Sequence, residues 1–449
     1  MAERTSVQES SEEPAAAGVP PSPEARYLKR VLWGTALLVA TVALVNLIAD
    51  PFDVYRLVAV PSLNQAKPFA RFHDRLQKAW AVTHLRPDTV VLGTSRAQIG
   101  IPASLLEEAG VASRPLNLGL PGGTVYEACR YLQHAEAAGE VRRAAVGLDL
   151  LMFNGASPRA NPEFEERRLL VDAKGAPNHT AWAVDLAPTL LSLDALADSL
   201  RTVRRQDLGS YLLDDGTRNP ATQVRSVAAA GGARELFRAA ERTYFEWMRC
   251  FRLPHAPQDP PHLDDLGRLL DVALERGIAV DLFISPSHAR HGQLVRLSGQ
   301  WEAQRQWKRE LVRRVEEAAR RHPGSPALRL WDFSKAEGAT VEAVPALSAK
   351  GGTMRWYWDS AHFTPALGER VLARLLNEAD ADPRFGMVLD SAHLDAQLAE
   401  LDAAQDRWAN EHPAEVEELA MLWREVQAKA AGSACRRASE PGTTVAAAP

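Results

Sequence analysis

From Val31 to Ala49 the chain carries no charged side chain, and only Thr35, Thr41 and Asn46 interrupt the apolar run. A soluble amphipathic helix would show a polar residue every third or fourth position, so this pattern predicts a helix surrounded by hydrocarbon. Its length suits one crossing of a bilayer. Arg26, Lys29 and Arg30 precede it and place the N-terminus in the cytoplasm, with the bulk of the chain extracytoplasmic. That predicts a single-pass protein of the inner (cytoplasmic) membrane, its bulk in the periplasm where the cell has two membranes. A buried core helix or a cleaved signal sequence is the alternative, but the preceding region is long and no Ala-x-Ala-like site closes the run.

Beyond a connector over 50–87, opened by the helix-breaking Asp50-Pro51-Phe52, the pattern changes period. Thr89-Val90-Val91-Leu92-Gly93 reads as a strand, followed by a loop at Thr94-Ser95-Arg96 and a helix closed by Gly110. Leu116–Leu120, the turn Pro121-Gly122-Gly123 and a helix over 124–138 capped by Thr124 repeat the step. The near-continuous apolar run 144–151, broken only by Asp149, suits a parallel strand covered on both faces. Strands over 278–284 and 327–331 alternate with helices over 263–276 and 293–321. Such alternation predicts an α/β fold, a parallel sheet between two layers of helices, with ligands at the carboxyl ends of the strands. The predicted α/β domain comprises 88–154 and 262–378. Between them, 155–261 reads as a helical insertion or lid, and 379–430 as C-terminal helices. Residues 1–25 and 431–449, poor in large apolar residues, read as disordered tails.

With 449 residues, 46% of them hydrophobic, the chain has ample material for a packed core. A net charge of −5 with acids and bases mixed throughout leaves no basic stripe, which argues against nucleic acid as a partner. Cys129, Cys250 and Cys435 lack metal-like spacing. Cys129 and Cys250 are available to pair in an oxidising compartment, with Cys435 in the tail, but separation along the chain does not decide it.

The chemistry concentrates in two places. Ser95 directly follows a strand, where its hydroxyl projects from the sheet edge. Far downstream, Asp359-Ser360-Ala361-His362 precedes a helix begun by Thr364 and Pro365. A serine becomes a useful nucleophile when a base takes its proton and a third group fixes the base's tautomer, so Ser95, His362 and Asp359 are the candidate catalytic residues. An ordinary turn serine and an incidental Asp and His are the bland alternative. Gly119 and Asn154 are the candidate oxyanion donors, although Gly119 also suits a plain β-to-α turn. Arg96 and His288 are candidate substrate-lining residues, and Asp332 with Trp356, Tyr357 and Trp358 offers contacts to a polar substrate such as a sugar. His288 and His291 make a His-x-x-His pair without a third ligand, so no metal and no other cofactor is expected.

The order of these blocks resembles the SGNH (GDSL-type) hydrolase superfamily, whose members carry a serine after the first strand, a glycine after the second, an Asn after a later strand and a C-terminal Asp-x-x-His. The resemblance covers roughly 88–154 and 279–376 and implies a three-layer α/β/α domain with Ser95 as nucleophile, His362 as base and Asp359 as its partner. Gly119 and Asn154 would complete the oxyanion hole. Two blocks depart from the pattern: Gly93-Thr94-Ser95 replaces Gly-Asp-Ser, and Asn154 closes a longer Leu148–Asn154 segment. Similar departures occur in membrane-anchored relatives that modify envelope polysaccharides. The expected function is therefore a serine esterase or O-acyltransferase, with an envelope polysaccharide and a membrane acyl-donor protein as expected partners. The rival is an inactive scaffold that binds a glycan or a membrane enzyme, and a third reading is a structural membrane protein with no pocket.

Overall fold

The computed structural model describes residues 22–71, 73–254, 257–347, 352–379 and 381–430, together with Cys435. The chain runs through α1 (Pro23–Ala49), α2 (Asp74–Leu85), β1 (Thr89–Leu92), α3 (Ser95–Gly100), α4 (Ser104–Glu108), β2 (Pro115–Asn117), α5 (Val125–Ala138) and β3 (Arg143–Leu148). It continues with α6 (Leu193–Arg204), α7 (Pro220–Ala230), α8 (Ala233–Arg249), α9 (His262–Glu275), β4 (Ala279–Ile284), α10 (Ala289–Leu297) and α11 (Trp301–Arg321). Then come β5 (Arg329–Asp332), α12 (Pro365–Leu375), β6 (Met387–Leu389), α13 (Leu394–Glu411) and α14 (Pro413–Lys429).

The strands form one sheet in the order β2-β1-β3-β4-β5-β6, parallel except for β6, which pairs antiparallel with β5. Period-two alternation within apolar strands explains why both faces are covered. In β1, Val90 and Leu92 enter one core with Leu132 of α5, Leu270 of α9 and Leu311 of α11. Val91 points the other way, into a second core with Phe283, Trp331 and Leu367 and Val371 of α12. Because β1 has β2 on one side and β3 on the other, the winding direction reverses between β1 and β3. Carboxyl ends at such a reversal leave a crevice that helices do not fill.

Several expectations change in detail. The 293–321 segment is two helices, α10 and α11, parted at Gly299, whose φ of +76° is a left-handed conformation that glycine adopts without strain. The 394–429 segment breaks at Pro413, which starts α14 because its ring cannot continue α13. The insertion is helical, but α8 is part of the main body: Phe237 lies in one core, and Tyr244, Phe245 and Met248 lie in the other. Cys250 bonds to Cys435 across 185 residues, and Cys129 is a free, buried thiol, which answers the pairing question that separation along the chain leaves open. The tail expected over 1–25 ends earlier, since Ser22 caps α1 at Pro23; residues 1–21 and 431–449, Cys435 excepted, lie outside the described residues.

An 18-residue stretch of α1 has a mean hydropathy of 2.2, and α1 is the one helix among the described residues long and apolar enough to cross a membrane. Its C-terminal end is built into the rest of the protein. Asn46 is buried and its Nδ2 donates to Leu190 O at 2.9 Å, while its Oδ1 accepts from Ser199 Oγ at 2.9 Å. The last carbonyls of a helix lack intrahelical partners. Here the Ile48 carbonyl accepts from Asn64 Nδ2, and the Ala49 carbonyl accepts from Lys67 Nζ at 3.0 Å.

Candidate active site

Gly93 turns the chain out of β1 with φ of +141°, and a Cβ there would lie 2.8 Å from Gly147 O, so β1 and β3 approach as closely as they do only because this residue has no side chain. Thr94 then caps α3, accepting from the Arg96 backbone N–H, and Ser95 is the first helical residue. Its hydroxyl therefore stands at the carboxyl end of β1, in the crevice between β1 and β3.

The partner residues arrive on a tight turn. Trp358 N–H donates to His362 O at 2.9 Å, Tyr357 bridges Phe363, and Thr364 N–H donates to Trp356 O at 2.9 Å. Phe363 is fully buried against Gly100, where a Cβ would lie 2.1 Å from its ring, so the turn is clamped to the end of the same helix that Ser95 begins. Ser360 O accepts from the His288 backbone N–H at 3.1 Å, a second tether.

These anchors bring three side chains into line. Ser95 Oγ lies 2.8 Å from His362 Nε2, and His362 Nδ1 lies 2.7 Å from Asp359 Oδ2. Asp359 Oδ1 accepts backbone N–H groups of Ala361 at 2.8 Å and His362 at 2.9 Å. Burial pushes the Asp359 carboxyl up, yet the His362 imidazole and these hydrogen bonds outweigh it and hold it below the ordinary carboxylate range. An ionised Asp359 takes the Nδ1 proton of His362 in a hydrogen bond and leaves the Nε2 lone pair facing the serine.

The remaining expected residues take other places. Gly119 does not present its N–H to the crevice, because it donates to Asn117 Oδ1 at 2.9 Å. Asn154 closes the turn after β3, where its Oδ1 accepts backbone N–H groups of Ala156 at 3.0 Å and Arg252 at 3.3 Å. His288 is buried rather than lining a cleft: its Nε2 donates to Glu342 O at 2.7 Å, and its ring meets Phe237 and Tyr357 edge-on. Burial pushes its imidazole down to about 3. Asp332 is likewise buried, paired with Lys308 at 2.7 Å. Tyr357 is core, and Trp356 is partly buried beneath the guanidinium groups of Arg355 and Arg370.

Arg96, the residue after Ser95, is 7% exposed. It pairs with Asp149 at 3.2 Å, donates to Ser287 Oγ at 2.9 Å and meets His291 Nε2 at 3.0 Å. A guanidinium only donates, so Nε2 of His291 accepts and Nδ1 carries the proton. Burial, then the Arg96 charge, hold His291 neutral. Asp149, the polar exception in its apolar run, also accepts from Thr94 Oγ1 and so fixes the residue before Ser95. A cavity of about 20 Å³ lies against Arg96, Asp149, Ser285, Ser287 and His291.

Two residues escaped sequence reasoning. Asn117 is fully buried; its Nδ2 donates to Ala97 O at 3.0 Å and Ile101 O at 2.8 Å, and its Oδ1 holds Gly119, so one amide joins α3 to the turn after β2. Its signal was a polar residue inside the apolar run 116–120. Lys78, in the connector, is fully buried and donates to Gly119 O; burial pushes its ammonium down to about 7. Nothing in its local sequence marked it. Among the described residues no group of three His, Cys, Asp or Glu side chains is placed to hold a metal ion.

No family model matches this chain, and no curated protein matches it in sequence.

Proposed function

We propose that the chain is a membrane-anchored serine esterase or O-acyltransferase of the SGNH type. One observation carries this reading: the hydrogen-bonded line from Ser95 Oγ through His362 to Asp359, at 2.8 and 2.7 Å. In this mechanism Ser95 Oγ attacks an ester carbonyl while His362 Nε2 takes its proton. The same proton then goes to the departing alkoxide oxygen, leaving the acyl group on Ser95. A water or glycan hydroxyl, deprotonated by His362, attacks that ester and restores the serine. Water makes the protein a hydrolase; an envelope polysaccharide makes it a transferase, with acyl groups supplied through a membrane partner.

The anchor reading rests on the uncharged length of α1 and on the basic residues Arg26, Lys29 and Arg30 at its start. This orientation puts the bulk of the chain outside the inner membrane. The bonds of Asn46 and Lys67 support a helix retained in the mature protein, and the Cys250–Cys435 disulfide suits an oxidising compartment. A second reading, a scaffold that binds a glycan without turnover, is favoured by Gly119 and Asn154. The N–H of one and the side-chain oxygen of the other are already engaged in holding loops.

Labelling of the detergent-solubilised protein by a fluorophosphonate separates the two. The enzyme reading expects labelling that disappears in Ser95→Ala and His362→Ala, and unlabelled, well-folded wild type would favour the scaffold.

A further inference from the structure

We infer that residues 181–203 and 57–63 form a seat that dips into the lipid leaflet at the C-terminal end of α1. The inference rests on the reading of α1 as a membrane-spanning helix and adds a second contact with the bilayer.

Length is the first argument. The uncharged run from Val31 to Ala49 has about 19 residues, roughly 28 Å at 1.5 Å per residue, which is about one hydrocarbon thickness with nothing to spare. Yet one side of its last two turns is taken up by the rest of the protein: Asn46 and Ala49 are buried and Val42, Ala43, Val45 and Leu47 half-buried, while Leu44 and Ile48 stay exposed. Asn46 sits a turn inside the end of α1 and is hydrogen-bonded to Leu190, Ser192 and Ser199. If all of the run is needed to cross, the segment bonded to Asn46 lies at the level of the lipid interface.

The surface of that segment is the second argument. On α6, Ala195, Ser199 and Thr202 face inward, while Leu193, Leu196, Leu200 and Val203 recur at the spacing of one helical stripe on the other side. Leu193 is 74% exposed, and Trp182, Leu191, Leu200 and Val203 are exposed as well. Leu57, Val58, Val60 and Leu63 add four more exposed apolar side chains. This second segment is tied to the same end of α1 by Asn64, and residues beside the two segments join through Gln206 and Ala66. Most of the large apolar side chains exposed outside α1 fall in these two segments. A patch of this kind facing water is a liability, whereas an amphipathic helix with a nearby Trp is the pattern of an in-plane membrane contact. Arg56, Arg201, Arg204 and Arg205 border it at headgroup level, alongside the acidic Asp53, Asp194, Asp198 and Asp207. Such a seat limits how far the active site tilts from the membrane surface.

Single-cysteine labelling tests this directly. Cys129 is buried with its thiol pushed up to about 12, and Cys250 and Cys435 are bonded to each other, so an added surface cysteine is the reactive one. Leu38→Cys on α1, Leu193→Cys and Leu200→Cys on the seat, and Arg320→Cys on the far helix α11 are each labelled with an environment-sensitive nitrobenzoxadiazole dye. The full chain is then placed in phosphatidylethanolamine and phosphatidylglycerol nanodiscs containing lipids spin-labelled near the headgroup and at mid-chain. The expected result is a blue shift and quenching at 193 and 200 comparable to those at 38, with neither at 320. Quenching at 38 with 193 and 200 behaving like 320 would overturn the seat and leave the anchor standing. Absence of quenching at 38 as well would overturn both.

Discussion

Arg96 and Asp149 form an ion pair, 3.2 Å between Nη1 and Oδ1, with only 8% and 4% of their side chains exposed, and Arg96 directly follows the candidate nucleophile in the chain. The pair fastens Thr94 and the start of α3 to the end of β3. Removing one member leaves the other charge buried without compensation, a loss of about 3–5 kcal/mol. Asp149→Ala is therefore expected to lower stability by about that amount in urea unfolding, and to abolish serine labelling even below the unfolding transition, because the loop that carries Ser95 is released. Stability within 1 kcal/mol of wild type, a margin of about the size of a surface effect, would contradict this role.

On the enzyme reading, Ser95, His362 and Asp359 are expected to be non-additive. Ser95→Ala and His362→Ala should each reduce ester turnover by about 10³-fold or more, and the double variant should be no worse than the single ones. Asp359→Asn keeps the hydrogen-bonding shape but favours the wrong tautomer of His362, with a loss of about 10⁴-fold. Turnover of an activated acetyl ester by detergent-solubilised protein measures all four.

Asn117 touches no substrate in this reading, but all its hydrogen-bonding capacity is used to join α3 to the Gly119 turn. Asn117→Ala leaves the Gly119 N–H and the Ile101 carbonyl without this partner, each such group costing about 1–3 kcal/mol, while the Ala97 carbonyl keeps the Ile101 N–H. A loss of several kcal/mol in unfolding free energy is expected, read as a lower chemical-denaturation midpoint, and an unchanged midpoint would remove Asn117 from this role.

Acid should weaken the fold well before the carboxylates titrate. Burial pushes His288 down to about 3 and His134 down to about 4, from 6.5 in an unfolded chain. As pH falls from about 6.5 toward 4 the unfolded state takes up protons that the folded state refuses, so stability drops by about 1.4 kcal/mol per pH unit for each histidine. Above 6.5 their contribution is complete. Asp359, held below its ordinary 3.8, loses its contribution only at still lower pH. Urea unfolding at pH 7, 6 and 5 reads the slope, and a flat profile would contradict the buried, neutral state of both rings.

The Cys250–Cys435 bond closes a loop of 185 residues. In the chain-entropy account a loop of that size is worth up to about 5 kcal/mol. Cys435→Ser, or reduction under native conditions, is expected to lower the thermal midpoint by several degrees, while Cys129→Ser changes disulfide content not at all in a thiol count.

What could be read in advance was whatever a short stretch of chain decides by itself. The strand ending at Leu92 and the turn of Asp359 and His362 are local patterns, and so is the apolar run of α1. What escaped depends on residues distant in sequence. His288 looked like a cleft residue because its strand ends at the ligand edge, but Phe237 and Tyr357 arrive from elsewhere to bury it. Gly119 was chosen for its small size, and nothing nearby announced that Asn117 would fold back to take its N–H. Cys250 finds Cys435 rather than Cys129 because α5 buries Cys129 in the core. The edge strand β6 is too short, at Met387–Leu389, to leave a period of its own.

The 267 positions separating Ser95 from His362 have one more consequence. A ribosome that stalls, or a protease that clips the chain before residue 359, releases a product that has the hydroxyl but nothing to take its proton. Such a fragment is chemically mute. Pairings this distant in sequence are slow to form, because the long loop between the two partners must close before the contact rewards it. On the enzyme reading, reactivity is thus a certificate of completion: it would belong only to a molecule synthesised through its final parallel strand and the turn beyond it.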